Sequence, residues 1–177
     1  MMKFKMMKNV IKNISGFVFN QLKRLLPSSF QSNDLSKIYN YHDISGLFTT
    51  SGQPNSYQLK LISKNAYDAV INLAPNSVFE GAVLNEAEIL IANKVKYIHI
   101  PVDFNNPTKD DFLLFVKSLN ENKDKKIWIH CAANMRVSAF VYKYRRDVLG
   151  LEDKEVIKDM ELIWFPNRIW NAFLNNN

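Results

Sequence analysis

A chain of 177 residues, 47% hydrophobic and 23% charged, can bury the core of one domain. Its net charge of +6 sits at one end: six of the 23 basic residues lie within residues 1–30, ahead of the first acid, Asp34, and the other 17 match the 17 acids in number. This argues against nucleic acid as a partner of the folded body. The one cysteine excludes an internal disulfide and fits a reducing, cytoplasmic location. No apolar run approaches the ~20 residues of a membrane span.

In chain order, the first unit is residues 1–30. Met7, Ile11, Ile14, Val18, Leu22 and Leu25 recur at three- and four-residue steps, with Lys5, Lys8 and Lys12 largely off that stripe. This predicts a basic amphipathic helix or arm, stopped at Pro27-Ser28-Ser29. It has two placements open to it: weak contact with a membrane surface, or docking on its own domain. Lys12, Asn13 and Asn20 break the apolar stretch, and no small-residue cleavage site follows, which argues against a signal peptide.

The second unit is residues 39–177. Leu47–Thr50 is a weak strand; Ala69–Leu73, Val95–Ile100 and Ile127–His130 are stronger ones. Helical patterns occupy residues 55–65, 79–93 and 108–120, the last with Thr108 as N-cap and Asp111 three positions on. After Cys131 the pattern is helical to the end, interrupted at Gly150 and Pro166. Trp164, Phe165, Trp170 and Phe173 are expected to complete the core. Glu86 and Glu88 read as decoration of a helix surface. His42 and His99 lack a metal-ligand pattern. Strands alternating with helices predict an α/β domain in three layers, with a mostly parallel sheet of about four or five strands flanked by helices. Ile127–His130 is apolar at successive positions and should be central.

The chemistry gathers in His130-Cys131-Ala132-Ala133-Asn134-Met135-Arg136-Val137-Ser138, between a strand and a helical run. In parallel sheets, ligands bind beyond the carboxyl ends of the strands. A loop there that feeds a helix N-terminus aims backbone N–H groups at one point and attracts an anion. The same field favours a thiolate, and a guanidinium grips two oxygens of a phosphate.

This loop resembles the signature loop of the protein tyrosine and dual-specificity phosphatase superfamily. Thr50-Ser51-Gly52-Gln53-Pro54, Val70-Ile71-Asn72-Leu73 and Ile100-Pro101-Val102 are similar to bacterial predicted phosphatases related to the phosphatase-like domain of beta-lactamase hydrolase-like proteins. The resemblance covers roughly residues 40–150. It implies phosphomonoester hydrolysis through a phosphocysteine, with no metal or cofactor, on a phosphorylated protein or small molecule. Cys131 would be the nucleophile, and Arg136 the phosphate clamp. The cradle would be Ala132, Ala133, Asn134, Met135 and Arg136. Ser138 would assist thiolate departure, His130 would orient the loop from behind, and Asp103, in the loop after the Val95–Ile100 strand, would be the general acid.

The loop departs from the family pattern. Four residues separate Cys131 from Arg136, one fewer than in the family, while Ser138 keeps its distance from Cys131. Either Arg136 has moved up one position in a reshaped loop, or Val137 takes the arginine position. Asn134 replaces the usual mid-loop glycine, and asparagine tolerates φ > 0. The shortened loop leaves two alternatives: a pseudophosphatase that binds phosphorylated ligands without turnover, and a rhodanese-like sulfurtransferase.

Overall fold

The computed structural model describes residues 11, 13, 15–22, 32–44, 48–77 and 81–176. Its elements are β1 (His42–Ile44), β2 (Phe48–Ser51), α1 (Ser56–Lys64), β3 (Ala69–Asn72), α2 (Glu86–Ala92), β4 (Lys96–His99), α3 (Lys109–Glu121), β5 (Ile127–His130), α4 (Met135–Lys143), α5 (Asp153–Ile163) and α6 (Arg168–Asn175). A π-helical turn, Tyr144–Val148, extends α4. The strand order is β1-β2-β5-β3-β4. β2, β5, β3 and β4 run parallel, and β1 adds to the edge antiparallel to β2.

β5 is central, between β2 and β3, and all four of its residues are buried. The pleat sends alternate side chains to opposite faces. Ile127 and Ile129 enter one core with Phe115 of α3, Phe140 of α4, Val156 and Met160 of α5, and Trp170 and Phe173 of α6. Trp128 enters the other core with Leu59 and Ile62 of α1 and Leu90 of α2. The sheet is therefore the middle of three layers, as expected. Trp164, Trp170 and Phe173 are buried in the larger core, where Phe140 stacks on Phe173 with ring centroids 5.2 Å apart.

Local signals set the helix ends. Asn55 and Gln58 form a reciprocal capping box at α1. Thr108 and Asp111 form another at α3, the cap the sequence predicts. The helix predicted over residues 79–93 is shorter: α2 starts at Glu86, and residues 78–80 lie outside the described set. The weak strand at Leu47–Thr50 becomes Phe48–Ser51, and β1 is an addition that the sequence pattern did not suggest.

Much of the predicted arm lies outside the described residues. Its described part is helical over residues 15–22. Asn13 is buried, its amide donating to the Ile163 carbonyl at 2.9 Å while its own carbonyl accepts from the Tyr39 hydroxyl at 2.8 Å. Ile11, Val18, Phe19 and Leu22 stay exposed. Among the described residues, no helix is long and apolar enough to cross a membrane.

Candidate active site

The loop from Cys131 to Asn134 leaves the carboxyl end of β5 and enters α4. The motif Thr50-Ser51-Gly52-Gln53 runs alongside and holds it. Cys131 N–H donates to the Ser51 carbonyl at 3.4 Å, and Gln53 N–H donates to the Ala132 carbonyl at 3.1 Å. The Asn40 side-chain amide donates to the Ala133 carbonyl at 2.9 Å. Two loop carbonyls are thus claimed by flanking donors. Gly52 and Ala133 form an antiparallel bridge, which turns the Asn134 N–H toward the Ser51 carbonyl. Among the described residues, no backbone acceptor takes the peptide N–H of Ala132, Ala133 or Met135. Gly52 permits the close approach: a Cβ there would lie 3.0 Å from the Ala132 carbonyl oxygen and 2.9 Å from the Tyr39 ring.

Asn134 has φ 63° and ψ 2°, the left-handed conformation the sequence suggests for this position. Its side-chain amide donates to the Asn40 carbonyl at 2.7 Å and to Thr50 Oγ1 at 3.0 Å. Arg136 is the second residue of α4 and is buried; its guanidinium carbon lies 5.2 Å from the Phe104 ring centroid. Val137 is fully buried in the apolar core. Val137 thus has a packing role, and the Arg136 guanidinium lies against Phe104, in the loop that also holds Asp103.

Asp103 lies in the loop between β4 and α3, adjacent to Phe104. It is exposed, and its carboxylate accepts from Asn105 N–H at 2.8 Å. The structure brings the Asp103 loop to Arg136 through Phe104. Among the described residues, no hydrogen bond or ion pair joins Asp103 itself to the Cys131 loop. The Ser138 hydroxyl donates to the Met135 carbonyl at 3.0 Å, and Ser138 borders a cleft with His42, Val141 and Asp159. Cys131 stands where the sequence puts it, at the end of the central strand, but its side chain has no exposed surface and belongs to the larger core with Leu73, Ile129 and Val137.

A polar cluster lies behind the loop, and the sequence reading missed it. His130 Nε2 lies 2.6 Å from Glu86 Oε1, with both side chains buried. Glu86 Oε2 accepts from Gln53 Nε2 at 3.1 Å and from Asn72 Nδ2 at 3.2 Å. The Asn72 amide also donates to the Tyr97 hydroxyl at 3.1 Å, and its oxygen accepts from Ala74 N–H at 2.8 Å. Burial, then the charge of Glu86, pushes the Tyr97 hydroxyl up to about 12. Glu86 therefore does not decorate a helix surface. One signal was available: it shares a helical face with Leu90, four positions on, and both are buried. Among the described residues, no group of three His, Cys, Asp or Glu side chains could hold a metal ion.

Known proteins share this fold. A DUF442 protein from Shewanella putrefaciens CN-32 is 29% identical, with a TM-score of 0.69 over 79% of this chain and 91% of that one. Tk-PTP, solved in its active form, is 22% identical, with a TM-score of 0.63 over 76% of this chain and 93% of that one. TpbA from P. aeruginosa, solved in complex with pTyr, is 17% identical, with a TM-score of 0.61 over 82% of this chain and 88% of that one. At the last two identities the likeness speaks for the fold. Among curated proteins, none matches. The model of the family described as "DSP-PTPase phosphatase fused to NAD+ Kinase" matches residues 21–164, from the N-terminal helix through α5, and the chain belongs to that family of phosphatases.

Proposed function

We propose that the chain hydrolyses phosphomonoesters, without a metal, through a phosphocysteine at Cys131. The substrate is a phosphorylated protein or small molecule, and the location cytoplasmic. The Cys131 thiolate attacks phosphorus as the ester P–O bond breaks, and Asp103 gives its proton to the leaving oxygen. Water then attacks the phosphocysteine, Asp103 takes its proton, and the S–P bond breaks to release phosphate. Ser138 assists that departure of the thiolate. The observation that carries this reading is the loop's polarity. The Ala132 and Ala133 carbonyls are tied to Gln53 and Asn40, and the N–H groups of Ala132, Ala133 and Met135 have no backbone acceptor among the described residues, with Arg136 following at the start of α4. Because Cys131 and Arg136 are buried, the loop must open for an anion to reach them.

That burial is also the observation favouring a second reading, a binder of phosphorylated ligands without turnover. The family match weighs against sulfur transfer. Hydrolysis of an aryl phosphate in the presence of a chelator separates the two readings. An enzyme turns over, Cys131→Ser abolishes the activity, and Arg136→Ala raises KM and lowers kcat together. Asp103→Asn lowers kcat about 100-fold and leaves KM near its original value, since general acids contribute on the order of 100-fold or more. A binder shows phosphate or vanadate protecting Cys131 from iodoacetate, with no hydrolysis. An unprotected Cys131 and no hydrolysis defeat both.

We also propose that residues 1–30 are an arm beside a phosphatase-like unit over residues 39–177, and that the arm touches anionic membrane surfaces weakly. Its support is the exposed apolar set Ile11, Val18, Phe19 and Leu22, together with six basic residues and no acid.

A further inference from the structure

Glu86 draws together three adjacent strands. In the sheet register, Ser51 of β2, His130 of β5 and Asn72 of β3 form one row. His130 and Asn72 bond Glu86 directly, and Gln53, two residues beyond Ser51, bonds it as well. The next residue after His130 is Cys131. Gln53 also holds the Ala132 carbonyl through its backbone N–H. One buried carboxylate is thus tied to the root of the loop and to the segment running beside it.

The hydrogen-bond pattern orients the amides around Glu86. Asn72 has its oxygen committed to Ala74 N–H, so its amide nitrogen faces Glu86. Gln53 Nε2 is also a donor there, with the Pro54 carbonyl as its second acceptor. Glu86 Oε2 therefore acts as an acceptor; Oε1 lies 2.6 Å from His130 Nε2, where an ionised Glu86 would accept from an N–H on that nitrogen. His130 Nδ1 is buried and has no partner among the described residues. Without Glu86, nothing described holds the ring in this tautomer.

We propose that Glu86 is a positioning residue for Cys131, acting through His130: it keeps the imidazole proton on Nε2 and so fixes the root of the anion loop. This rests on the phosphatase reading of that loop. Tyr97, one hydrogen bond beyond Asn72, is the nearest other titrating group, and His99 stacks on its ring at 5.9 Å. The Tyr97 hydroxyl holds its proton to about pH 12, outside the window tested.

Glu86→Gln is close to isosteric. Its carbonyl can still accept from Gln53 or Asn72, but its NH₂ turned toward His130 forces the ring proton onto Nδ1. The test is iodoacetate alkylation of Cys131 between pH 5 and 9 in the full chain, well below each variant's melting temperature. Glu86→Gln should slow alkylation at pH 7 about tenfold and move the acidic limb of the profile to higher pH. His130→Ala should do the same, and the double variant should be no worse than His130→Ala, because coupled residues are not additive. A purely structural Glu86 lowers the melting temperature and leaves the profile in place. Nitrogen NMR of the wild-type imidazoles adds a measurement that needs no variant to fold. His130 should show a protonated Nε2, and a proton on Nδ1 would overturn the proposal. A reactive, phosphate-protected Cys131 whose profile Glu86→Gln leaves unmoved, or additive effects in the double variant, also overturns it alone. A wild-type Cys131 unreactive at every pH overturns the phosphatase reading, and this inference with it.

Discussion

Asn134 does two jobs that glycine could do only by half. It adopts φ 63°, and its amide ties the loop to Asn40 and Thr50. Asn134→Gly should keep the backbone and lose two hydrogen bonds, costing about 1–3 kcal/mol in urea denaturation. Asn134→Ala loses the same bonds and adds left-handed strain of about 1 kcal/mol, so it should be the less stable variant. The backbone half of this was legible in the sequence, because few residue types tolerate φ > 0. The bonding half was not, since Asn40 and Thr50 lie more than 80 positions away. Separation in sequence also hid Glu86, whose partners His130, Gln53 and Asn72 lie 44, 33 and 14 positions away and meet only when three strands are assembled. Asp103 remains legible by its place after β4, and the structure adds Phe104 as the residue that links its loop to Arg136.

At the scale of elements, β3, β4 and β5 were legible because each is a run of mostly apolar or β-branched residues between turns. β1 was not: three residues, His42-Asp43-Ile44, carry no pattern of their own and take their register from β2. The α3 cap was legible as a local signal, and Thr108→Ala should cost about 1 kcal/mol of stability in thermal or urea unfolding. The N-terminal helix was legible as amphipathic, but not in its orientation. Asn13 is held against α5 and Tyr39, which leaves Ile11, Val18 and Leu22 exposed. With that face outward, the full chain should sediment with vesicles containing anionic lipid at low salt and be released as salt rises. A chain lacking residues 1–30 should stay in the supernatant. Equal, negligible sedimentation of both would defeat the membrane proposal.

At the scale of the whole molecule, hydrogen bonds and ion pairs away from the anion loop link the edge strand β1 to α5, and α5 to the π-helical turn. Asp159 of α5 meets His42 of β1 at 2.8 Å and also pairs with Arg145 of the π-helical turn. Burial works to raise the Asp159 carboxyl, but hydrogen bonds from Arg145 and His42 outweigh it and hold it below the usual carboxylate range. Asp147 is lowered in the same way, against burial, by hydrogen bonds from Arg146 and Lys143. A carboxyl lowered on folding contributes stability above its unfolded value, about 4, and that contribution is lost as pH falls through the folded value. Asp159→Asn should therefore be less stable than the parent at pH 7 in urea. The gap should narrow as the pH drops below about 4, and a gap independent of pH would show that the charge is not what matters.

Cys131 is the one sulfhydryl in this chain and lies sealed beneath its loop. Attack by peroxide therefore needs the loop to open, and oxidation should scale with the population of the open loop as well as with the thiolate fraction. Once formed, a sulfenic acid there finds no second thiol in the chain to capture it as an internal disulfide. Its rescue depends on a thiol from outside, such as glutathione, reaching the same closed place. Without it, further peroxide carries the sulfur on to the irreversible acids.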